Sequence, residues 1–236
     1  MTHLSDNLSN VQTRITAATS ASGRALGSVH LLAVSKTFGA DDVGALAACG
    51  QRDFGENYIQ EGVEKITKLA AQTHPPALVW HCIGPVQSNK TKLVAEHFDW
   101  VHTVDRFKIA QRLNDQRPPH LPALQVCIQV NIDGGDTKSG VAPAEVLALA
   151  LEVAKLPRLR LRGLMTIPDP VDGVEAQVAV HNKARALFDA VNTALNSPHF
   201  DTLSMGMTSD LEAAIQAGST LVRVGTAIFG GRTYAA

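Results

Sequence analysis

Cysteine is scarce: Cys49, Cys82 and Cys127 stand far apart in a chain of 236 residues. No zinc or redox spacing joins them, which excludes a disulfide scaffold and points to a reduced, intracellular setting. Neither sign of charge dominates. With 21 Lys+Arg against 22 Asp+Glu the net charge is -1, so neither nucleic acid nor a membrane surface is an expected partner. No basic stretch leads into an apolar segment at the N-terminus, and no uncharged run approaches ~18 residues. The expectation is a soluble, cytoplasmic protein. The nine histidines show no metal-ligand grouping, so no metal is expected. No glycine-rich dinucleotide fingerprint follows the first strand, which weakens a Rossmann reading.

What is present is regular alternation. Leu4, Leu8, Val11, Ile15 and Ala18 recur at helical steps, predicting an amphipathic helix over 4–22 packed outside the domain. Strand signals then follow at 30–36, 52–55, 77–83, 99–103, 123–130, 159–165, 202–205 and 219–224. Helical patterns separate them, among them 89–97, 106–114 and a long one at 174–195; Glu56-Asn57 opens another and Asp210 begins one more. Strict βα alternation implies a parallel sheet. Eight units in this length fit a closed (β/α)8 TIM barrel, α/β in class, occupying 1–236 as a single domain.

In such barrels functional groups sit at the C-terminal ends of strands. Lys36 ends the first strand on the face of Leu32 and Val34. Burial there lowers an ammonium pKa toward the range in which the amine is a nucleophile able to form a Schiff base. A lysine snorkelling past the strand end is the plain alternative. The segment 204–210 after the seventh strand and Gly225-Thr226 after the eighth are small and hydroxyl-rich, suited to a phosphate cup. Ordinary helix capping by Ser209 or Asp210 is the competing reading. Arg223 alternates to the same face as Gly225 and needs a partner: either a buried carboxylate or the ring nitrogen of a heterocycle lying between the cup and Lys36. Because arginine keeps its proton, it would leave a pyridine nitrogen unprotonated and the ring a weak electron sink. Lysine, cup and arginine together describe a site for pyridoxal 5′-phosphate (PLP).

LAVSK at 32–36, FGENY at 54–58, WHCIGPVQSNK at 80–90, LSMGM at 203–207 and RVGTAIFG at 223–230 also resemble the PLP homeostasis proteins, in order and over nearly the whole chain. The resemblance implies the alanine-racemase-like, fold-type-III PLP-binding barrel, with the cofactor carried on Lys36. It further implies that Ser204, Gly206, Gly225 and Thr226 hold the phosphate, that Arg223 faces the pyridine nitrogen and that Asn57 lines the pocket. Thr208 stands where the family more often has serine, and Gly134-Gly135-Asp136 is a less typical insert in the 131–141 loop. His81 is read as a pocket polar group or a packed strand histidine, and Met165 as packing beside the ring. Lys138 is read as a second cofactor contact or a solvated loop lysine.

The implied role is intracellular PLP (vitamin B6) homeostasis as a carrier or buffer, without strong catalysis. Apo-PLP enzymes are the expected recipients and a monomer the expected state. Two other classes share the site. A PLP-dependent amino-acid racemase needs an acid/base on each face of the α-carbon, and the only tyrosines are Tyr58 and Tyr234. Racemases of this barrel type also add a second domain. A cofactor-free Schiff-base aldolase would use Lys36 and the cup but leaves Arg223 without a role.

Overall fold

Alternation along each strand decides which side chains turn toward the helices and which turn inside the sheet. The computed structural model describes residues 2–74, 77–135 and 138–231. Among them are eight strands: β1 (His30–Val34), β2 (Asp53–Glu56), β3 (Val79–Cys82), β4 (Trp100–Val104), β5 (Leu124–Val130), β6 (Leu159–Thr166), β7 (Thr202–Ser204) and β8 (Leu221–Val224). All pair in parallel in sequence order, and β8 pairs with β1 to close the barrel. The helices are α1 (Thr2–Ala21), α2 (Ala40–Ala48), α3 (Ile59–Ala70), α4 (Thr91–His97), α5 (Phe107–Gln116), α6 (Val146–Val153), α7 (Val174–Leu195), α8 (Leu211–Gln216) and α9 (Thr226–Phe229).

Leu124, Val126, Ile128 and Val130 of β5 join Ala33, Val101, Val222 and Val224 in the core between sheet and helices. Burying each such Val, Leu or Ile side chain contributes roughly 1.5–3 kcal/mol, so this layer closes the barrel. The inward positions divide into two kinds. Leu32, Val34, Ile83 and Leu221 form a small separate apolar cluster. His81, His102, Ser204 and Arg223, all buried, bond to one another across the interior from β3, β4, β7 and β8. Barrel interiors are ordinarily filled by branched apolar residues, so this polar half calls for a reason beyond packing.

Sequence patterning located the elements well, and α7 begins and ends where expected. One boundary differs with consequence. Glu56 belongs to β2 rather than opening a helix, and α3 starts at Ile59. Its buried carboxylate is held at the strand end by Lys65 of α3 at 2.8 Å, a tertiary contact invisible to local pattern.

The N-terminal helix lies outside the barrel as its periodicity implies, against α8 and α9 and over the β8–β1 seam. Leu8, Val11 and Ile15 are buried. Asn7 Nδ2 donates to the Ile228 carbonyl at 2.9 Å, and Arg14 donates to Glu212 and to the Thr208 carbonyl. Replacing Leu8 by Ala should therefore cost about 2–4 kcal/mol of unfolding free energy in urea titration. A cost under about 0.5 kcal/mol would mean that α1 is an appendage rather than part of the core.

Candidate functional site

A cavity of about 490 Å³ opens at the C-terminal ends of the strands, within the range of small-molecule sites. Val34 and Lys36 enter it after β1, Asn57 after β2 and Ile83 after β3. Ile167 enters after β6, Met207, Thr208 and Ser209 after β7, and Arg223, Gly225 and Thr226 from the end of β8. A second cavity of about 510 Å³ lies beneath α1, lined by Gln12, Thr16 and Asp53. It lacks a lysine, so the first is the candidate site.

Lys36 is half-buried just past the end of β1, and both its neighbours are pinned. Ser35 donates its hydroxyl to Glu56 Oε1 at 2.5 Å, and its carbonyl accepts from Lys65 Nζ at 2.7 Å. Thr37 donates its N–H to Glu61 Oε1 at 2.6 Å. Lys65 also pairs with Glu61 at 2.6 Å. Thr37 takes φ +69, a strained conformation for a β-branched residue that these contacts hold in place. Burial pushes the Glu56 carboxyl up, opposed by Lys65 and the Ser35 hydroxyl. Phe38 then stacks on Phe229 with ring centroids 4.7 Å apart, tying this turn to α9.

Arg223 is 4% exposed. Nη1 donates to Ser204 Oγ and Nη2 to the Thr166 carbonyl, each at 2.8 Å. Among the described residues no carboxylate lies within ion-pair distance of it, so the buried-carboxylate alternative is absent there. Burial lowers its pKa to about 10, so it stays charged at neutrality. The hydroxyls of Thr208, Ser209 and Thr226 belong to the same cavity. An amine, an un-neutralised guanidinium and a hydroxyl-rich loop pair suit an anionic carbonyl compound with an acceptor nitrogen. The donor set fits PLP.

Five of the expected site residues therefore converge: Lys36, Asn57, Arg223, Gly225 and Thr226. Four do not line the cavity. Ser204 is fully buried below it, its hydroxyl shared by Arg223 and His102. Gly206 has φ +92, and a Cβ there would stand 2.4 Å from the Ala214 Cβ, so its place in the chain is set by close packing on α8. His81 is a packed strand histidine, 1% exposed, bonded to His102 and Asp53. Met165 is buried within β6, while Ile167 two residues on reaches the cavity. Lys138 is held by Asp133 and Asp169 at 2.8 and 2.9 Å. Asp136 and Tyr234 lie outside the described residues.

Sequence reasoning missed His102, although alternation in a strand from Trp100 to Val104 puts it on the face opposite Val101. Within the 204–210 segment expected to form the cup, the lining hydroxyls are those of Thr208 and Ser209, joined by Thr226 from the last turn. Asn57 has a positioning glycine that was read only as a strand end. A Cβ at Gly84 would lie 1.9 Å from the Asn57 carbonyl oxygen.

The family described as "Alanine racemase, N-terminal domain" matches residues 7–233. The pyridoxal phosphate homeostasis protein of Escherichia coli strain K12 is 53% identical over 234 residues, 99% of each chain. This chain belongs to that racemase-domain family and, within it, to the pyridoxal phosphate homeostasis proteins. The homeostasis protein of Pseudomonas aeruginosa is likewise 53% identical, over 236 residues. Among solved structures, PipY of Synechococcus elongatus PCC7942 with PLP bound is 32% identical with a TM-score of 0.82, covering 96% of this chain and 100% of PipY. An alanine racemase of Clostridium difficile 630 shares the fold at a TM-score of 0.75 and 17% identity, this chain spanning 58% of its length.

Two outcomes follow for this homeostasis-family barrel. Gly84→Ala should cost about 2–4 kcal/mol, because backbone rather than a flexible side chain must move; an unchanged melting temperature would refute the close approach to Asn57. Burial lowers the His81 pKa and holds His102 well below its ordinary value. The unfolded chain takes up protons as pH falls through about 6.5, whereas these folded imidazoles do so only at lower pH. Their contribution to stability is thus complete above that pH and is lost below it, by up to about 1.4 kcal/mol per pH unit for each. Urea titrations at pH 7.5 and 5.5 measure this, and a His102→Gln variant should show the shallower dependence.

Proposed function

We propose that this chain binds PLP covalently through the Lys36 amine and serves PLP homeostasis as an intracellular carrier or buffer rather than as a strong catalyst. The observation that carries this reading is the convergence of Lys36, an Arg223 without a carboxylate partner among the described residues, and the Thr208–Ser209 and Gly225–Thr226 loops in one cavity. The names of the relatives at 50–53% identity and the PLP-bound PipY structure support it.

When bound, the cofactor supplies an aldehyde that links reversibly to an amine and a conjugated ring that withdraws electrons. The chain's own residues do the rest. Lys36 presents its amine from a turn fixed on both sides. Thr208, Ser209 and Thr226 donate to the phosphate, with Gly225 admitting the close approach of backbone. Arg223 donates to the ring nitrogen and, keeping its own proton, withholds one from it. Asn57 lines the remaining wall, while Ser204, Gly206, His81 and Met165 act from beneath as supports.

The racemase reading lacks a group. Among the described residues lining the cavity, Lys36 and Arg223 are the only ionisable ones, so a second acid/base for the opposite face of an α-carbon is not supplied there. The aldolase reading leaves Arg223 idle. No helix among the described residues is long and apolar enough to cross a membrane. The proposed role is that of a cytoplasmic, one-domain monomer that hands PLP to apo-enzymes.

Purified protein mixed with PLP should show a visible absorption band, and borohydride should fix the label at Lys36 in peptide mass spectra. Lys36→Ala should lose the band and the label. A label retained elsewhere would overturn the assignment of Lys36, and turnover of D- or L-alanine well above that of free PLP would restore the racemase.

A further inference from the structure

The polar half of the barrel interior is a continuous hydrogen-bonded line. Asp53 Oδ1 lies 3.1 Å from His81 Nε2, His81 Nδ1 2.9 Å from His102 Nε2, and His102 Nδ1 3.0 Å from Ser204 Oγ. Ser204 Oγ in turn accepts from Arg223 Nη1 at 2.8 Å. The line runs from a second mouth at the opposite end of the barrel, where Asp53 and His81 line a cavity of about 380 Å³ with Trp100 and Arg162, up to the proposed PLP site. Nothing in the carrier chemistry uses His81, His102 or Asp53.

The Asp53 end fixes its direction. A guanidinium only donates and a carboxylate only accepts. His81 must therefore carry its proton on Nε2 toward Asp53, and, being neutral, must accept at Nδ1. His102 must then donate from Nε2 and accept at Nδ1. Ser204 must give its hydroxyl proton to His102, which turns its lone pairs toward Arg223. Every donor points the same way, from Arg223 through Ser204, His102 and His81 to Asp53, and each of these links is satisfied. Reversing the imidazoles would set the His81 Nε2 lone pair against the Asp53 carboxylate, two acceptors face to face.

We propose that Asp53, His81, His102 and Ser204 form a one-way positioning relay that fixes the plane of Arg223 for the ring nitrogen of the cofactor. This rests on the reading that Arg223 faces PLP. The Thr166 carbonyl holds Nη2 from β6 and Ser204 holds Nη1 from β7, so the rigid fork is clamped at two points. With both imidazoles in the Nε2–H tautomer, His102 engages the Ser204 proton and leaves the hydroxyl lone pairs to Arg223. These are positioning residues, acting on the cofactor through Arg223.

The test uses the full chain labelled with 15N-histidine, free of PLP and then titrated with it. Imidazole nitrogen shifts, assigned with His81→Gln and His102→Gln variants, should report Nε2–H at both histidines. A proton on Nδ1 of either overturns the proposal. Asp53→Ala, at the half-exposed mouth, should populate the other tautomer at His102, two links away, and weaken PLP binding about tenfold, a change of about 1.4 kcal/mol. Asp53→Asn, which keeps an acceptor oxygen, should restore both. Ser204→Ala should weaken binding similarly in the native background and have no effect in an Arg223→Gln background. If Arg223→Gln weakens binding while Asp53→Ala and Ser204→Ala do not, the relay fails and the Arg223 assignment stands. If Arg223→Gln leaves PLP affinity and spectrum unchanged, the Arg223 assignment fails and the relay loses its target.

Discussion

A guanidinium buried in the barrel without a carboxylate partner among the described residues is the constraint around which the rest is arranged. Removing such a charge from water costs several kcal/mol even after relaxation. The fold offsets part of that with the Ser204 hydroxyl and the Thr166 carbonyl, and burial still pulls the Arg223 pKa down to about 10. Two neutral histidines accept the consequence on one side, because a charged imidazole at His102 would add a second buried cation. On the other side the guanidinium meets the cavity, where an acceptor on the proposed ligand would complete its coordination. The cost is retained in the free protein and recovered on binding, as is common where a site departs from the rules of the core.

Lys36 is governed by the complementary device. Its reactivity calls for a defined position, yet it lies past the end of a strand, where backbone is ordinarily loose. The cluster of Glu56, Glu61 and Lys65 reaches across from β2 and α3 and takes hold of the residue before and the residue after it. The backbone that carries Lys36 is thereby fixed by its neighbours' contacts. This is preorganisation by a supporting shell, and it explains why the Glu56–Lys65 pair is buried where apolar residues would pack at less cost.

The two halves are joined through α1 and α9. Phe38, following Lys36, stacks on Phe229 of α9, and α1 bonds both the Ile228 carbonyl and the Thr208 carbonyl. A helix that precedes the first barrel strand thus fastens the loops that surround the proposed phosphate. The site is built from the ends of strands far apart in sequence, which suits reversible retention of a small molecule at an open rim, with a single amine and no second ionisable partner besides Arg223 among the described lining residues.

Much of this was legible along the chain. Alternating strand and helix periods identified eight βα units, because helix and strand patterns at these lengths are local properties of side-chain spacing. Lys36, Arg223 and the Gly225–Thr226 turn could be named because position at a strand end implies position at the barrel mouth. What local spacing could not reveal was pairing across the interior. The resemblance places Ser204 at the phosphate, and the fold engages its hydroxyl with Arg223 and His102. Gly206, which the resemblance places at the phosphate, and Gly84, which follows the third strand, are points of close packing on α8 and on Asn57. Alternation could place His102 on the inner face but not name its partners, which lie 21 and 102 residues away. Sequence determined the barrel and the chemical types at its rim. Only closure of the sheet decided which polar groups face one another, because hydrogen bonds inside a barrel are set by strand register and not by distance along the chain.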